Sequence, residues 1–227
     1  MQNLAMRYAP TDVAIPVHGS DKSLPGMLMV PPRAFGLVIF VHGSGSGRLT
    51  PRNGKTAAGL TDSGLATLLF DLLTEDERCD ETVRPDPVML ARRVGDAISW
   101  AKSQPECSWL EIGLFGSDTG AAAAIIAAAD HPGDVSVLVS RSGRPELAGG
   151  RVAGLRAPCL MIVGENDDAV VDFNRLAQKQ MICPSELAVV RGASHLFEEP
   201  GALDATIRRS ADWFVGNFGS GRRAERA

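Results

Sequence analysis

The five residues Gly116-Ser117-Asp118-Thr119-Gly120 constrain the fold of this chain more than any other feature of its sequence. They follow an apolar run at residues 112–115 and precede an alanine-rich stretch at residues 119–130. Glycines on both sides of a turn between a strand and a helix are typical of places where two chain segments pass too closely for a side chain. The pattern predicts a buried strand, a sharp turn with residue 118 at its apex, and a helix that stops at His131-Pro132-Gly133.

The apex residue, Asp118, is a candidate nucleophile because the frame Gly-x-nucleophile-x-Gly is that of a nucleophile elbow. Ser is the commonest residue at the centre of this frame, whereas this chain has Asp. The side chain is expected to project at the N-terminus of the following helix, where partial positive charge favours an anion. The alternative is that Asp118 only caps the helix, since Asp is a preferred N-cap residue.

Two residues farther along the chain can complete a catalytic triad with Asp118. An apolar run ends in Gly164-Glu165-Asn166-Asp167, where Asp167 is the predicted acid and Asp168 the alternative. His195 follows the last predicted strand and is the predicted carrier of the proton. The order nucleophile, acid, histidine is that of α/β-hydrolases, in which the carboxylate fixes the tautomer and orientation of the imidazole.

A glycine-rich loop, His42-Gly43-Ser44-Gly45-Ser46-Gly47, follows the third predicted strand and resembles the H-G-x-G oxyanion loop. Such a loop supplies one backbone N–H, here from near Gly43 or Ser44, and the residue after the nucleophile, Thr119, supplies the other. A phosphate-binding loop is the alternative. It fits less well, because G-x-G-x-x-G would need glycine at Arg48 and a P-loop would need G-K-[ST].

Short apolar runs alternate with helical patterns along the whole chain, which predicts an α/β fold with a mostly parallel sheet flanked by helices. One helix is predicted to begin near Pro87 and the last helix after Pro200. A single α/β-hydrolase domain at residues 1–218, without a large cap domain, and a disordered tail at residues 219–227 are expected. The eight predicted strands are 13–17, 26–30, 36–41, 66–70, 111–115, 135–140, 159–163 and 187–190.

Composition excludes several classes of function. A net charge of −4 gives no reason to expect nucleic acid or an acidic membrane as a partner, and no apolar run is long enough to cross a bilayer. The four cysteines are widely spaced, so neither a metal site nor a disulfide framework is predicted. We therefore expect a cytoplasmic protein, monomeric or homodimeric, that acts on a small molecule without a metal or other cofactor.

Taken together, the motifs resemble those of small dienelactone-hydrolase-like α/β-hydrolases, from about residue 13 to residue 218. The resemblance implies hydrolysis of an ester, lactone or thioester by a triad of Ser or Cys, Asp and His. It carries those roles onto positions 118, 167 and 195, and Asp118 departs from the family pattern. The matching stretches are residues 38–46, 66–73, 113–116, 140–145 and 194–200.

Three interpretations of Asp118 remain open. It can be a disabled or altered nucleophile in an ester-hydrolysing site, or the protein can be a binding module that kept only the fold. It can also be a working nucleophile, as in haloalkane dehalogenases, fluoroacetate dehalogenases and epoxide hydrolases of this fold. Those enzymes usually follow the Asp with Trp or Arg, whereas this chain has Thr119, and they carry a cap that supplies Tyr or Trp. Ser117 is expected to point away from the apex, so it is not predicted to replace the nucleophile.

Four arginines follow strands at the expected edge of the site: Arg48, Arg52, Arg141 and Arg144. Loops at the carboxyl ends of parallel strands line the ligand crevice, so one of these arginines could hold a substrate carboxylate or phosphate. The alternative is solvated loop charge, paired with the acidic run Glu75-Asp76-Glu77.

Overall fold

Eight strands form one sheet in the computed structural model, which describes residues 8–43, 46–80 and 86–219. The sheet order is β1-β2-β4-β3-β5-β6-β7-β8. All eight predicted strands are present, with ends that differ by a few residues. The strands are β1 (Thr11–Pro16), β2 (Ser23–Met29), β3 (Gly36–Val41), β4 (Ala66–Phe70), β5 (Glu111–Ser117), β6 (Val135–Arg141), β7 (Cys159–Gly164) and β8 (Ser185–Val190).

Six strands, β3 to β8, are parallel to one another, whereas β2 runs antiparallel to both of its neighbours, β1 and β4, near one edge. The largest difference from prediction is in β2, which begins at Ser23 rather than after Pro25. Proline cannot donate a ladder hydrogen bond. Its carbonyl still accepts one from the Asp71 N–H at 3.0 Å, so the strand continues through it.

The central strand β3 shows how the sheet is covered on both faces. All six of its residues are buried. Because side chains alternate along a strand, Leu37 and Ile39 join one apolar cluster while Val38 and Phe40 join another on the opposite face. An uninterrupted apolar run is what a strand buried on both faces requires.

Helices cover the two faces of the sheet, as predicted. α1 and α7 pack on the face of Val38 and Phe40, and α3 and α4 pack on the opposite face. A short 3₁₀ turn, Pro145–Ala148, follows β6. The helices are α1 (Pro51–Asp62), α2 (Glu75–Cys79), α3 (Pro87–Ser103), α4 (Thr119–Asp130), α5 (Arg151–Gly154), α6 (Asp168–Gln178) and α7 (Ala202–Asn217).

The turn between β5 and α4 is as tight as the sequence predicts. A Cβ on Gly116 would lie 2.5 Å from the Ala121 Cα. A Cβ on Gly120 would lie 2.6 Å from the His42 carbonyl carbon, and closer still to the carbonyl oxygens of Val41 and His42. Only glycine permits this approach of α4 to the end of β3.

No separate cap domain is present among the described residues. In the same part of the chain, no helix is long and apolar enough to cross a membrane. The Gly219 N–H donates to Glu111 Oε2 at 2.8 Å, so the beginning of the predicted tail is bonded to β5. The remainder of that tail, residues 220–227, lies outside the described residues, as do residues 1–7 of the predicted domain.

We expect Gly120→Ala to lower the free energy of unfolding by about 1–3 kcal/mol, because its methyl group would overlap backbone atoms that cannot move aside. Gly54→Ala, in the first turn of α1, is the matched control, since a Cβ there meets no atom within 4 Å. It should raise stability by about 0.5–1 kcal/mol, as alanine does in helices. Urea denaturation of the two variants measures both values, and equal effects would contradict the close approach.

Candidate functional site

Asp118 and His195 lie at the carboxyl edge of the sheet and line one cavity of about 280 Å³. The cavity is small and its walls are largely polar, so it suits a small molecule with polar substituents. Gly43, Ser46, Thr50, Arg52, Ser117, Arg141, Ser142 and Leu196 complete its lining.

Asp118 occupies the apex of the turn with φ 50° and ψ −127°. This backbone conformation is unfavourable for a residue with a side chain, and such strain is commonly found at functional sites. The carbonyl of Asp118 accepts from the N–H groups of Ala121 and Arg144, each at 3.1 Å, which holds the turn. Asp118 is the N-cap residue of α4 by position, yet its side chain makes no capping hydrogen bond. The capping alternative is therefore wrong.

The carboxylate of Asp118 lies against the glycine-rich loop. A Cβ on Gly43 would be 2.8 Å from Asp118 Oδ2 and 2.9 Å from its Cβ, so glycine is needed here to make room for the side chain. Thr119 is the first residue of α4. Ser44, the other predicted oxyanion donor, lies outside the described residues. The oxyanion hole at Gly43, Ser44 and Thr119 thus stays a prediction.

His195 and Asp167 are joined by a hydrogen bond of 2.5 Å between Nδ1 and Oδ2. Because Nδ1 takes this bond, Nε2 is the ring nitrogen left for proton transfer. The two loops are fastened by a backbone bond from Asn166 N–H to the Ala193 carbonyl at 3.0 Å. Asp168, the alternative acid, is exposed and begins α6. The geometry favours Asp167 as the partner of His195.

Ser142 supports the histidine loop, a role that sequence reasoning missed. Its hydroxyl donates to the His195 carbonyl at 2.8 Å, and its backbone has φ 44°. Phe197, two residues beyond His195, is buried and also has a positive φ of 53°. The sequence signal for Ser142 is its place directly after the β6 strand end.

Asp71 is a second residue that sequence reasoning missed. This buried carboxylate follows β4 and accepts from the Arg48 N–H at 3.0 Å, from the Arg48 guanidinium and from Arg78 Nη1 at 3.1 Å. His42 is also near, with Nε2 3.9 Å from Asp71 Oδ1. Asp71 therefore anchors the far end of the glycine-rich loop. Burial lowers the pKa of His42 below its usual value, a change that the Gly43 carbonyl, 3.0 Å from Nδ1, partly opposes.

The structure separates the four candidate arginines into two pairs. Arg48 binds Asp71, and Arg144 pairs with Glu146 while lying 5.3 Å from the centre of the Phe173 ring. Neither is part of the cavity lining. Arg52 and Arg141 do line the cavity. Among the described residues, none of the four arginines pairs with the run Glu75-Asp76-Glu77, whose ion pairs are made by Lys22 and Arg93, so that expectation is wrong.

Arg141 is 5% exposed, and no carboxylate of a described residue lies within 4 Å of it. Its guanidinium reaches Thr56 Oγ1 at 3.4 Å and Asn53 Oδ1 at 3.5 Å, and lies 5.3 Å from the centre of the Phe115 ring. Burial, with a smaller contribution from the charge of Arg52, lowers the pKa of Arg141 to about 9. Arg141 is therefore charged at neutral pH, with no carboxylate of the described residues at ion-pair distance.

Ser117 also lines the cavity, although it was expected to point away from the apex. It is the partner of Arg141 in the register of β5 and β6. Side chains at paired positions stand on the same face of a sheet, so Ser117 lies beside Arg141 and to one side of Asp118.

The described residues contain no cluster of three or more His, Cys, Asp or Glu that could hold a metal, and all four cysteines are free thiols.

Comparison with known proteins identifies relatives of the whole described fold. A crystal structure of dienelactone hydrolase from Anabaena variabilis is 41% identical, with a TM-score of 0.89, and the match covers 93% of this chain and 99% of that chain. A Pyrococcus furiosus esterase is 17% identical with a TM-score of 0.74, and covers 94% of this chain and 92% of that chain. The second match shows the fold alone. The predicted fold class is confirmed.

A curated relative from Mycobacterium tuberculosis is 44% identical over 204 residues, which is 90% of this chain. It is provisionally named a phosphoribosyl transferase. The match covers 46% of that protein, so the chain spans about half the length of this relative. No family model matches the chain.

The buried His42 predicts a pH dependence of stability. The pKa of His42 is lowered in the folded protein. As the pH falls, the unfolded chain therefore binds a proton on His42 at about pH 6.5, whereas the folded protein binds it only at lower pH. The free energy of unfolding should fall as the pH decreases through about 6.5. His42→Asn should reduce this fall relative to the unaltered chain. Urea denaturation between about pH 7 and pH 5 measures both, and equal slopes would contradict the assignment.

Proposed function

Because the chain belongs to the dienelactone hydrolase family of α/β-hydrolases, we propose that its site is built to hydrolyse a small ester, lactone or thioester. The observation that carries this proposal is the 2.5 Å bond between His195 and Asp167 in a site whose elbow apex is residue 118. A carboxylate–imidazole pair of this kind takes and returns a proton during acyl transfer. Asp118 stands where the nucleophile of such a site belongs.

The carboxylate at position 118 changes the first step of that chemistry. A serine hydroxyl would give its proton to His195 as its oxygen attacks the substrate carbonyl. A carboxylate at this position has no such proton to give. Its negative charge also lies beside Gly43, where donors for a developing oxyanion are expected, and would compete for them. We therefore propose that this form hydrolyses esters slowly.

A working Asp118 nucleophile is the second candidate, favoured by the strained apex and by the absence of a capping bond from its side chain. In that reaction a carboxylate oxygen attacks a saturated carbon, and the leaving group departs with the bonding electrons. Water activated by His195 then attacks the carbonyl of the resulting ester, which restores the Asp118 carboxylate and releases an alcohol. Thr119 after the apex and the lack of a cap among the described residues weigh against it. A binding module without catalysis is the third possibility.

The phosphoribosyl transferase name of the longer relative is not extended to this chain. The match covers less than half of that protein, and the groups around the cavity fit hydrolysis. Arg52 and Arg141 support a small substrate that carries an anionic substituent, since a buried guanidinium is well suited to a carboxylate or a phosphate.

We expect Asp118→Ser to raise the rate of hydrolysis of short p-nitrophenyl esters by at least about 100-fold, because the hydroxyl restores a nucleophile that His195 can deprotonate. The measurement is kcat/KM for both forms at neutral pH. Adding His195→Ala to Asp118→Ser should return the rate to that of the unaltered chain.

Asp118→Asn separates the two catalytic candidates, because it keeps the shape of the side chain and removes its charge. If the unaltered chain turns over chloroacetate or fluoroacetate and places ¹⁸O from water in Asp118, while Asp118→Asn does neither, the nucleophile is Asp118 and the first proposal is wrong. No reaction of any form with either class of substrate would favour the binding module.

A further inference from the structure

The N-terminal end of α1 borders the cavity through Thr50 and Arg52. Thr50 is the N-cap residue, and its side chain makes no capping bond. Its Oγ1 is buried with no hydrogen-bond partner among the described residues. Pro51 follows, and no acidic residue lies in the first turn. The partial positive charge of this helix end is therefore not offset by the helix itself.

Arg141 is an independent sign of an anion at the same place. Its guanidinium is almost fully buried, and its two hydrogen bonds, to Thr56 and Asn53 of α1, are long. A buried charge of this kind is costly unless it is paired. Among the described residues it has no carboxylate within hydrogen-bond reach, so a partner from outside the chain would complete the site.

Arg52 adds a second positive charge next to Arg141. Its charge is one cause of the lowered pKa of Arg141, which means that the two guanidinium groups repel each other. Among the described residues, Arg52 pairs with Glu198, an exposed side chain whose Oε1 lies 3.7 Å from Nη2. A pair that is long and exposed to water neutralises little of this charge.

We propose that the α1 side of the cavity binds a phosphoryl group, so that the substrate of the proposed hydrolase is a small carboxylic ester, lactone or thioester that also carries a phosphate group, with its scissile acyl bond toward Asp118. This inference rests on the proposed function for the position of the scissile bond, and on the structure alone for the anion subsite. The subsite consists of Thr50, Arg52, Arg141 and the N-terminus of α1. Its donors, two guanidinium groups, a hydroxyl and a helix end, suit a dianion with three terminal oxygens better than a carboxylate with two.

The distribution of charge within the cavity sets the orientation. Among the described residues, the charged or titratable side chains that line it are Arg52, Arg141, Asp118 and His195. The phosphoryl group would be repelled by Asp118 and attracted by the arginines, so it occupies the α1 side. The remainder of the molecule then extends toward the apex and His195.

Calorimetric titration with glycerol 3-phosphate, and with glycerate as its carboxylate counterpart, tests the subsite without any turnover. We expect glycerol 3-phosphate to bind at least about tenfold more tightly than glycerate. Arg141→Met and Arg52→Gln should each weaken its binding at least about tenfold, since each removes a charge-assisted hydrogen bond. Thr50→Val should weaken it by a smaller factor.

Arg144→Gln is the matched control, because Arg144 follows the same strand and lies outside the cavity lining. It should leave the affinity for glycerol 3-phosphate within about twofold. If circular dichroism shows that Arg141→Met does not fold, the affinities of Arg52→Gln and Thr50→Val for glycerol 3-phosphate test the proposal instead. Equal or tighter binding of glycerate, no binding of glycerol 3-phosphate, or an Arg144→Gln loss as large as that of Arg52→Gln would overturn the proposal.

The two proposals fail separately. Binding of glycerol 3-phosphate is measured on the unaltered chain, whereas acyl transfer is measured on Asp118→Ser with uncharged esters. If glycerol 3-phosphate does not bind, the hydrolase proposal is unaffected. If Asp118→Ser does not hydrolyse esters, the proposed anion subsite is unaffected.

Discussion

The close approach of α4 to the ends of β3 and β5 is the constraint on which the rest of the site depends. It exists because Gly116 and Gly120 present no side chain to the backbone that passes over them. The strained apex at residue 118 follows from it. The positions of the glycine-rich loop and of the histidine loop around that apex follow in turn. A tight backbone crossing therefore determines where chemistry can occur in this protein.

The remaining functional groups reach the apex because parallel strands end at the same edge of the sheet. The loops after β7 and β8 position Asp167 and His195, while the end of β6 positions Arg141. Loops at this edge carry little secondary structure, so they are held by bonds between them, such as that from Ser142 to His195. The scaffold and the site are thus separable. The sheet determines where the functional side chains lie, and a few hydrogen bonds between the loops determine how those side chains are oriented.

Much of this arrangement could be predicted from the sequence, because its signals are local. The apolar run of β3, the glycines around residue 118 and the acid and histidine after their strands are all visible within a few residues. The roles of Asp71 and Arg141 could not be predicted. Whether an arginine is paired depends on residues brought near it by folding, and Arg48, Arg52, Arg141 and Arg144 look alike in the sequence. The start of β2 before Pro25 was also missed. The hydrogen bond that keeps Pro25 within the strand is donated by the Asp71 N–H, from a residue far away in the sequence.

The buried charge of Arg141, which forms no ion pair among the described residues, has a consequence for the lifetime of the protein. Burial of this cation without a carboxylate of the described residues beside it has a cost, which lowers the energy needed to open the surrounding structure. An anion that binds only the folded form offsets this cost and adds about 2.7 kcal/mol when its concentration is 100 times its Kd. Resistance to proteolysis would then rise and fall with the supply of that anion, so abundance of the protein would be matched to the availability of its ligand.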